Sequence, residues 1–363
     1  SHTGVLNVTM LDDSQMIDDV VVVAYGVRKK GTIAGSVSTV KSEKLENVPT
    51  ASFDQALQGQ TPGLTVMAAS GEPSRAATFQ IRGTNSINSG TTPLFILDGV
   101  PVESSSFNSI NPSDIESISV LKDASSAAIY GAKAAAGVII ITTKKGKVGK
   151  AQLSYDGSVT MQHVTRTIPM MDAYEFVKLQ AEMYPEQMTS SNGGYLMEWE
   201  GKQWTLEDYR NIDQYNWQDE IFRTALQHNH NLRLSGGTEG VRYNASLSYY
   251  NQEGILLNSG YERLQGRMNT VVRRDKLNMS LTRNYSRSIQ TGSTPSENSY
   301  SGMNNLFYSV WGYRPVTFPS KPLSSLMDNV MDDAVDNSND YRFNPIMSLK
   351  NEYRKNYINN LQL

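Results

Sequence analysis

The sequence predicts an α+β domain followed by antiparallel transmembrane β-barrel strands, too few of them to close a barrel. Three observations predict it. The first 147 residues mix short strand-like and helix-like runs rich in Gly, Ala, Ser and Val. From Ala151 onward, apolar and polar residues alternate one for one over stretches of about ten residues, the pattern of a strand with two unlike faces. The connections between these stretches alternate between long and tight, as in barrels whose turns lie on one side of a membrane and whose loops lie on the other.

Composition narrows the function classes. With 363 residues there is room for about two or three domains. The 33 Lys and Arg against 36 Asp and Glu leave a net charge of -3, so no basic excess exists to neutralise a phosphate backbone and no nucleic-acid partner is expected. The absence of Cys removes disulfides, thiolate metal sites and Cys nucleophiles. Mean hydropathy is -0.43, and the apolar runs Val20 to Tyr25 and Val138 to Ile141 fall far short of the roughly 18 residues of a spanning helix. Alternating strands pass that test differently, because half of each strand is polar.

In the first domain, Val20 to Val23 is a bare β-branched run behind Asp18 and Asp19, and Ser52 to Leu57 reads as a short helix with Ser52 as N-cap. Thr78 to Arg82 alternates like a strand. Pro93 to Val102 reads as two strands around Asp98-Gly99, a strong signal for a tight hairpin. Asn111 to Asp114 forms a turn or first helical turn ahead of a strand over Ile115 to Leu121. Asp123 can cap a helix over Ala124 to Tyr130 that Gly131 ends or bends. Val138 to Thr143 is the continuous β-branched run of a strand covered on both faces, and Lys144 to Lys147 reads as a solvated turn.

In the second part, Leu153, Tyr155, Val159 and Met161 alternate with Gln152, Ser154, Ser158 and Thr160. The pattern recurs over Val241 to Tyr249 and Leu277 to Tyr285, with weaker copies over Asn229 to Ser235, Tyr261 to Val272 and Glu352 to Leu363. A long segment 164–227, a tight turn at Gly236 to Gly240, a medium loop 252–260, a tight turn at Arg274-Asp275 and a long loop 286–351 connect them. The same alternation suits a soluble β-sandwich, which leaves a non-transporting binding or adhesion domain as a rival. Five or six strands cannot enclose a domain and would leave bare edges in lipid, so further strands are expected to complete the wall.

No catalytic constellation is present: no G-x-S-x-G elbow, no phosphate-binding loop, no H-E-x-x-H. A polysaccharide hydrolase therefore stands as a rival without residues to support it. His228 and His230 share a strand face but are too few for zinc. Asp328, Asp332, Asp333, Asp336 and Asp340 lack the spacing of a calcium loop and read as solvated. No cofactor and no metal are expected. The loop tips carrying Asn85, Ser86, Asn88 and Ser89, and Phe107 with Asn108, offer amides, hydroxyls and one ring for a substrate. Ordinary turn chemistry accounts for the same residues.

At DVVVVAYG (19–26), QALQGQTPGLTV (55–66), IRGTN (81–85), PLFILDGVPV (93–102) and the long block from Asn111 to Gly146, the sequence resembles the plug domain of SusC-like TonB-dependent transporters. WQDEIF (217–222), HNLRLSGG (230–237) and NQEG (251–254) resemble the first barrel strands of the same family. The resemblance implies a division into residues 1–17 as the tail of an upstream carboxypeptidase-like β domain, 18–26 as a TonB-box segment, 27–147 as plug, and 151–363 as the first barrel strands and extracellular loops. It implies import of oligosaccharides, or alternatively oligopeptides, across a bacterial outer membrane. The implied partners are a SusD-like surface lipoprotein lid, a TonB-type energy transducer, and outer-membrane lipid around the wall. Asp18, Asp19, Val20, Val21, Val22 and Val23 then sit at the segment recruited by strand addition; a buried plug strand is the other reading of those valines.

Overall fold

The computed structural model describes residues 20–23, 26–29, 37–42, 57–67, 73, 77–83, 91–103, 110–123, 127–190, 194–292, 306–328, 344–351 and 355–362. The expected upstream tail over residues 1–17, and the Ser52 to Leu57 helix apart from Leu57 itself, lie outside them.

The first domain begins with a hairpin of β1 (Val20–Val23) and β2 (Gly26–Lys29), in which Val22 faces Val27 across the pair. Its main sheet uses β3 (Val37–Lys41), β6 (Leu94–Leu97), β7 (Val100–Val102), β8 (Ile115–Leu121) and β9 (Val138–Thr143) in the order β3-β8-β9-β6-β7. β4 (Leu64–Met67) and β5 (Thr78–Ile81) form a separate antiparallel pair. The β9 run is central, antiparallel to β8 and parallel to β6. Its residues divide by the two-residue period of a strand. Ile139 and Ile141 enter a core with Leu57, Phe79, Phe95 and Ile118, while Val138 and Ile140 enter a second core with Ile96, Leu121, Ala127 and Ala134.

The Asp98-Gly99 hairpin forms as the dipeptide signals. Asp98 (φ 49°) and Gly99 (φ 91°) both take the left-handed conformation of the primed turn that matches strand twist. Asn111 caps the one-turn 3-10 helix Pro112–Asp114 by accepting from the Ser113 N–H. Of the expected Ala124 to Tyr130 helix, the described part is Ala127, α-helical with its N–H on the Asp123 carbonyl at 3.0 Å, followed by a 3-10 turn, Ala128–Tyr130; Gly131 at φ 72° separates it from a second turn, Ala132–Ala134. A residue at positive φ cannot carry a helix forward, so the run is broken at Gly131.

The second part is a six-stranded antiparallel sheet in the order β10 (Gly149–Gln162), β13 (Ala225–Gly237), β14 (Val241–Glu253), β15 (Gly260–Arg274), β16 (Leu277–Thr291) and β17 (Lys355–Gln362). Among the described residues β10 and β17 are its two free edges, so the sheet is an open wall. Its strands extend past the alternating stretches, because pairing continues through polar residues beyond the apolar band. β13 starts at Ala225, β16 runs on to Thr291, and the tight turn is at Asp275-Lys276 with Asp275 at φ 51°.

The wall is inside out relative to a soluble protein. Leu153 is 68% exposed and Met161 73%, and Leu232, Leu247, Met268 and Leu281 are exposed on the same side. The opposite side buries Asn231, Asn244, Gln265, Asn269, Asn284 and Ser286. A sandwich would hide the first set and solvate the second; a lipid-facing barrel does the reverse. Replacing Leu247 by Arg is therefore expected to cost the full-length protein about 2–4 kcal/mol in lipid vesicles, measured by denaturant titration, whereas Ser248→Ala on the inner face costs much less. Equal, small effects would remove lipid from the outer face.

The two long connections carry secondary structure of their own. The first holds α1 (Ala173–Met183), the two-residue strands β11 (Glu198–Trp199) and β12 (Lys202–Gln203), and α2 (Trp217–Ile221). The second holds α3 (Leu306–Gly312), α4 (Ser325–Asp328) and α5 (Pro345–Asn351). Asp172 and Glu175 close a reciprocal capping box at the start of α1. The loops share cores: Phe176, Tyr195 and Tyr209 of the first pack with Val316 and Phe318 of the second.

Candidate functional site

The functional arrangement lies where the first domain meets the polar face of the wall. Strand register lines the inner side chains up in rows. One row runs Arg233, Ser246, Arg267, Asn284 across β13 to β16, and the next runs Asn231, Ser248, Gln265, Ser286. Such rows satisfy part of their own polarity, as when Gln265 donates to Asn284 at 3.1 Å. The remainder is met by the domain they face.

Asp98, at the tip of the β6–β7 turn, reaches one of these rows. Its carboxylate accepts from the Thr143 N–H at 2.9 Å and the Thr143 hydroxyl at 2.6 Å, which fixes it against the end of β9. Arg267 of β15, with 2% of its side chain exposed, donates through Nη2 to Asp98 at 2.8 Å and to the Thr143 hydroxyl at 2.9 Å. A left-handed turn residue thus carries a buried ion pair between two sheets.

Four more ties surround it. Asn111 donates to Asn231, and Arg233 donates to the Ser113 carbonyl. Asn244 donates to the Lys144 carbonyl at 3.1 Å. Asp114 is buried against Ser246. Burial pushes its carboxyl above the ordinary 3.8, opposed by the Ser246 hydrogen bond and by the charges of Arg267, Arg233 and Lys144.

In the segment leaving β9, Lys145 and Lys147 are exposed as a solvated segment requires, but the glycine between them is not. Gly146 is buried against the β14 backbone, and a Cβ there would stand 2.5 Å from the Tyr243 N and O. Only glycine lets the chain pass that close.

Of the residues singled out from sequence, Val20 to Val23 form β1. Asp18, Asp19, Asn85, Ser86, Asn88, Ser89, Phe107 and Asn108 lie outside the described residues, as do Asp332, Asp333, Asp336 and Asp340; Asp328 ends α4. His228 and His230 share the outer face of β13, with ring centroids 5.4 Å apart, and His230 Nδ1 lies 2.7 Å from the Tyr155 hydroxyl. Among the described residues no three His, Cys, Asp or Glu side chains group as metal ligands. Asp98, Asp114, Arg233 and Arg267 escaped the sequence reading. The spacing of Arg263 and Arg267, four apart on the polar face of an alternating strand, carried a signal of inward charge.

The family model of the TonB-dependent Receptor Plug Domain matches residues 29–138. The chain is 34% identical over 272 residues to the TonB-dependent receptor SusC of Bacteroides thetaiotaomicron, a match covering 73% of this chain and 25% of that protein. The chain belongs to the SusC-like TonB-dependent receptors. The TonB-dependent receptor P3 of Formosa agariphila is 38% identical over 259 residues, covering 71% of this chain and 23% of the relative. Among solved structures, the RagAB peptide importer in its open-open state superposes with a TM-score of 0.71 at 28% identity, covering 91% of this chain and 38% of that one. The closed-closed state gives 0.61 at 32% identity, covering 75% and 32%. The chain thus spans about a quarter of the length of its SusC-like relatives. In these terms the first domain is the plug, and the open wall is part of the barrel around it.

Proposed function

We propose that this chain supplies the plug and first wall strands of an energy-coupled importer of the bacterial outer membrane, taking up oligosaccharides beneath a SusD-like surface lipoprotein. The observation that carries this reading is the polar inner wall tied to a plug by an ion pair and hydrogen bonds. A space that is polar and plugged needs work to open, and non-covalent ties can be broken and remade without chemistry. The work comes from a TonB-type transducer pairing with the segment Asp18 to Val23, where main-chain bonds give affinity with little demand on side chains. Asn85, Ser86, Asn88, Ser89, Phe107 and Asn108 offer amides, hydroxyls and a ring for substrate contacts. The chain is no enzyme in this scheme.

Oligopeptide cargo is the second reading, favoured by the likeness to the RagAB peptide importer. Uptake of labelled oligosaccharides against labelled peptides by cells carrying the full-length protein separates the two. In the same assay, deletion of Asp18 to Ala24 is expected to abolish uptake while leaving folding and surface binding of cargo intact. Normal uptake by the deletion strain would remove the recruitment role.

A further inference from the structure

On the outer face of β16 the residues change character from the tight turn toward the loops. Leu277, Met279 and Leu281 are exposed nearest the turn, and Arg283, Tyr285 and Arg287 are exposed beyond them. A cation on a lipid-facing strand is costly at mid-membrane and nearly free of cost at the headgroups, so the arginines mark headgroup level on β16. The neighbouring strand is still apolar there. Register sets Met268 beside Arg283 and Leu264 beside Arg287, both exposed. Tilted strands produce this offset, since the apolar band then crosses the rows obliquely. A headgroup surface and an acyl-chain surface therefore lie side by side.

Between them is a notch. Gly266 stands opposite Tyr285 on one side and Leu247 on the other, and a Cβ there would meet no atom within 4 Å. Gly157, also on the outer face, differs: a Cβ would stand 2.7 Å from the Tyr155 hydroxyl, so that ring covers it. Tyr285 leaves Gly266 bare. Glycine weakens a strand interior and often marks the close approach of a ligand, and no positive φ calls for it here. Among the described residues neither Arg283 nor Arg287 has an ion pair or a hydrogen bond. The Arg287 guanidinium lies 5.9 Å from the centre of the Tyr357 ring on β17, a contact that orients it and leaves its charge unneutralised. Glu262, the outer-face carboxylate of the next row, is hydrogen-bonded to Tyr249.

We propose that this part of the wall is a binding site for one phosphate-bearing membrane lipid, an acyl chain lying in the Gly266 notch between Leu264 and Met268 and the phosphate resting on Arg283 and Arg287. The two arginines supply fork-shaped donors that suit phosphate oxygens, and basic side chains at headgroup level select anionic lipids. Tyr285 and Tyr357 present rings with a polar tip, the type of side chain that sits at a membrane interface. The site rests on lipid meeting the outer face, which Leu247→Arg tests separately, and it holds whichever cargo crosses the wall.

Full-length protein in detergent is titrated with dimyristoylphosphatidylglycerol, with phosphatidylcholine bearing the same chains, and with inorganic phosphate, and bound lipid is counted by native mass spectrometry. Phosphatidylglycerol is expected to bind at least tenfold more tightly than phosphatidylcholine, whose choline neutralises the phosphate. Replacing both arginines, Arg283→Gln with Arg287→Gln, should erase that preference. Gly266→Leu fills the notch without touching either charge, and should weaken phosphatidylglycerol at least tenfold; the open space at this position lets the variant fold. Inorganic phosphate should not displace the lipid, because it has no chain for the notch. Equal binding of the two lipids, wild-type affinity for phosphatidylglycerol in Gly266→Leu or in the double variant, or displacement by inorganic phosphate would overturn the proposal.

Discussion

Replacing Arg267 by Met is expected to loosen the plug from the wall and to cost about 3–5 kcal/mol, the usual effect of removing one partner of a buried pair. The loss exceeds that of an exposed ion pair because Asp98 is mostly buried and held in place. It remains bonded to Thr143, at the end of the central strand, with its charge facing an apolar side chain. Asp114 loses one of its opposing cations at the same time. Hydrogen exchange on the full-length protein in detergent reads the outcome: protection should fall across β6, β7 and β9 while the wall strands keep theirs. The double change Arg267→Met with Asp98→Asn should recover part of the loss, since it removes the stranded charge. Unchanged exchange in the single variant would mean that the pair holds nothing.

The second large effect is internal to the plug. Ile140 is 2% exposed in β9, paired on both sides and packed with Ile96, Leu121 and Ala134. Ile140→Asp places a carboxyl where no cation can reach it, and several kcal/mol of destabilisation are expected. For a domain of this size that is enough to unfold the plug. Urea titration followed through plug-specific exchange should show the transition shifted to low denaturant or absent, with the wall intact. A plug that stays folded would contradict the central position of β9. Ile140→Val at the same site should cost only about 1 kcal/mol.

The wall strands were legible because lipid imposes a period of two that a reader can count. Their excess length was not, since Ser286 to Thr291 holds a single apolar residue, Ile289, and so shows no apolar alternation even though β16 pairs through it. The β9 strand and the Asp98-Gly99 turn were legible for local reasons, a β-branched run and a dipeptide suited to positive φ. The function of Asp98 was hidden, because its partner is 169 positions away and only the register of β15 brings Arg267 opposite. The loop helices were missed although the Asp172 and Glu175 spacing announces α1. Their burial depends on Val316 and Phe318 from another loop, which no local window contains.

The β1–β2 hairpin has a mechanical consequence. Because Val20 faces Lys29, the two ends of the hairpin lie side by side, and tension between them acts across the hydrogen bonds rather than along them. Such a ladder peels open pair by pair at low load, whereas β9, flanked by neighbours on both sides, must slide past all its bonds together. Fully drawn out, the ten residues from Val20 to Lys29 reach about 33 Å, so a pull on the start of the chain would take up that slack before it strains the sheet behind.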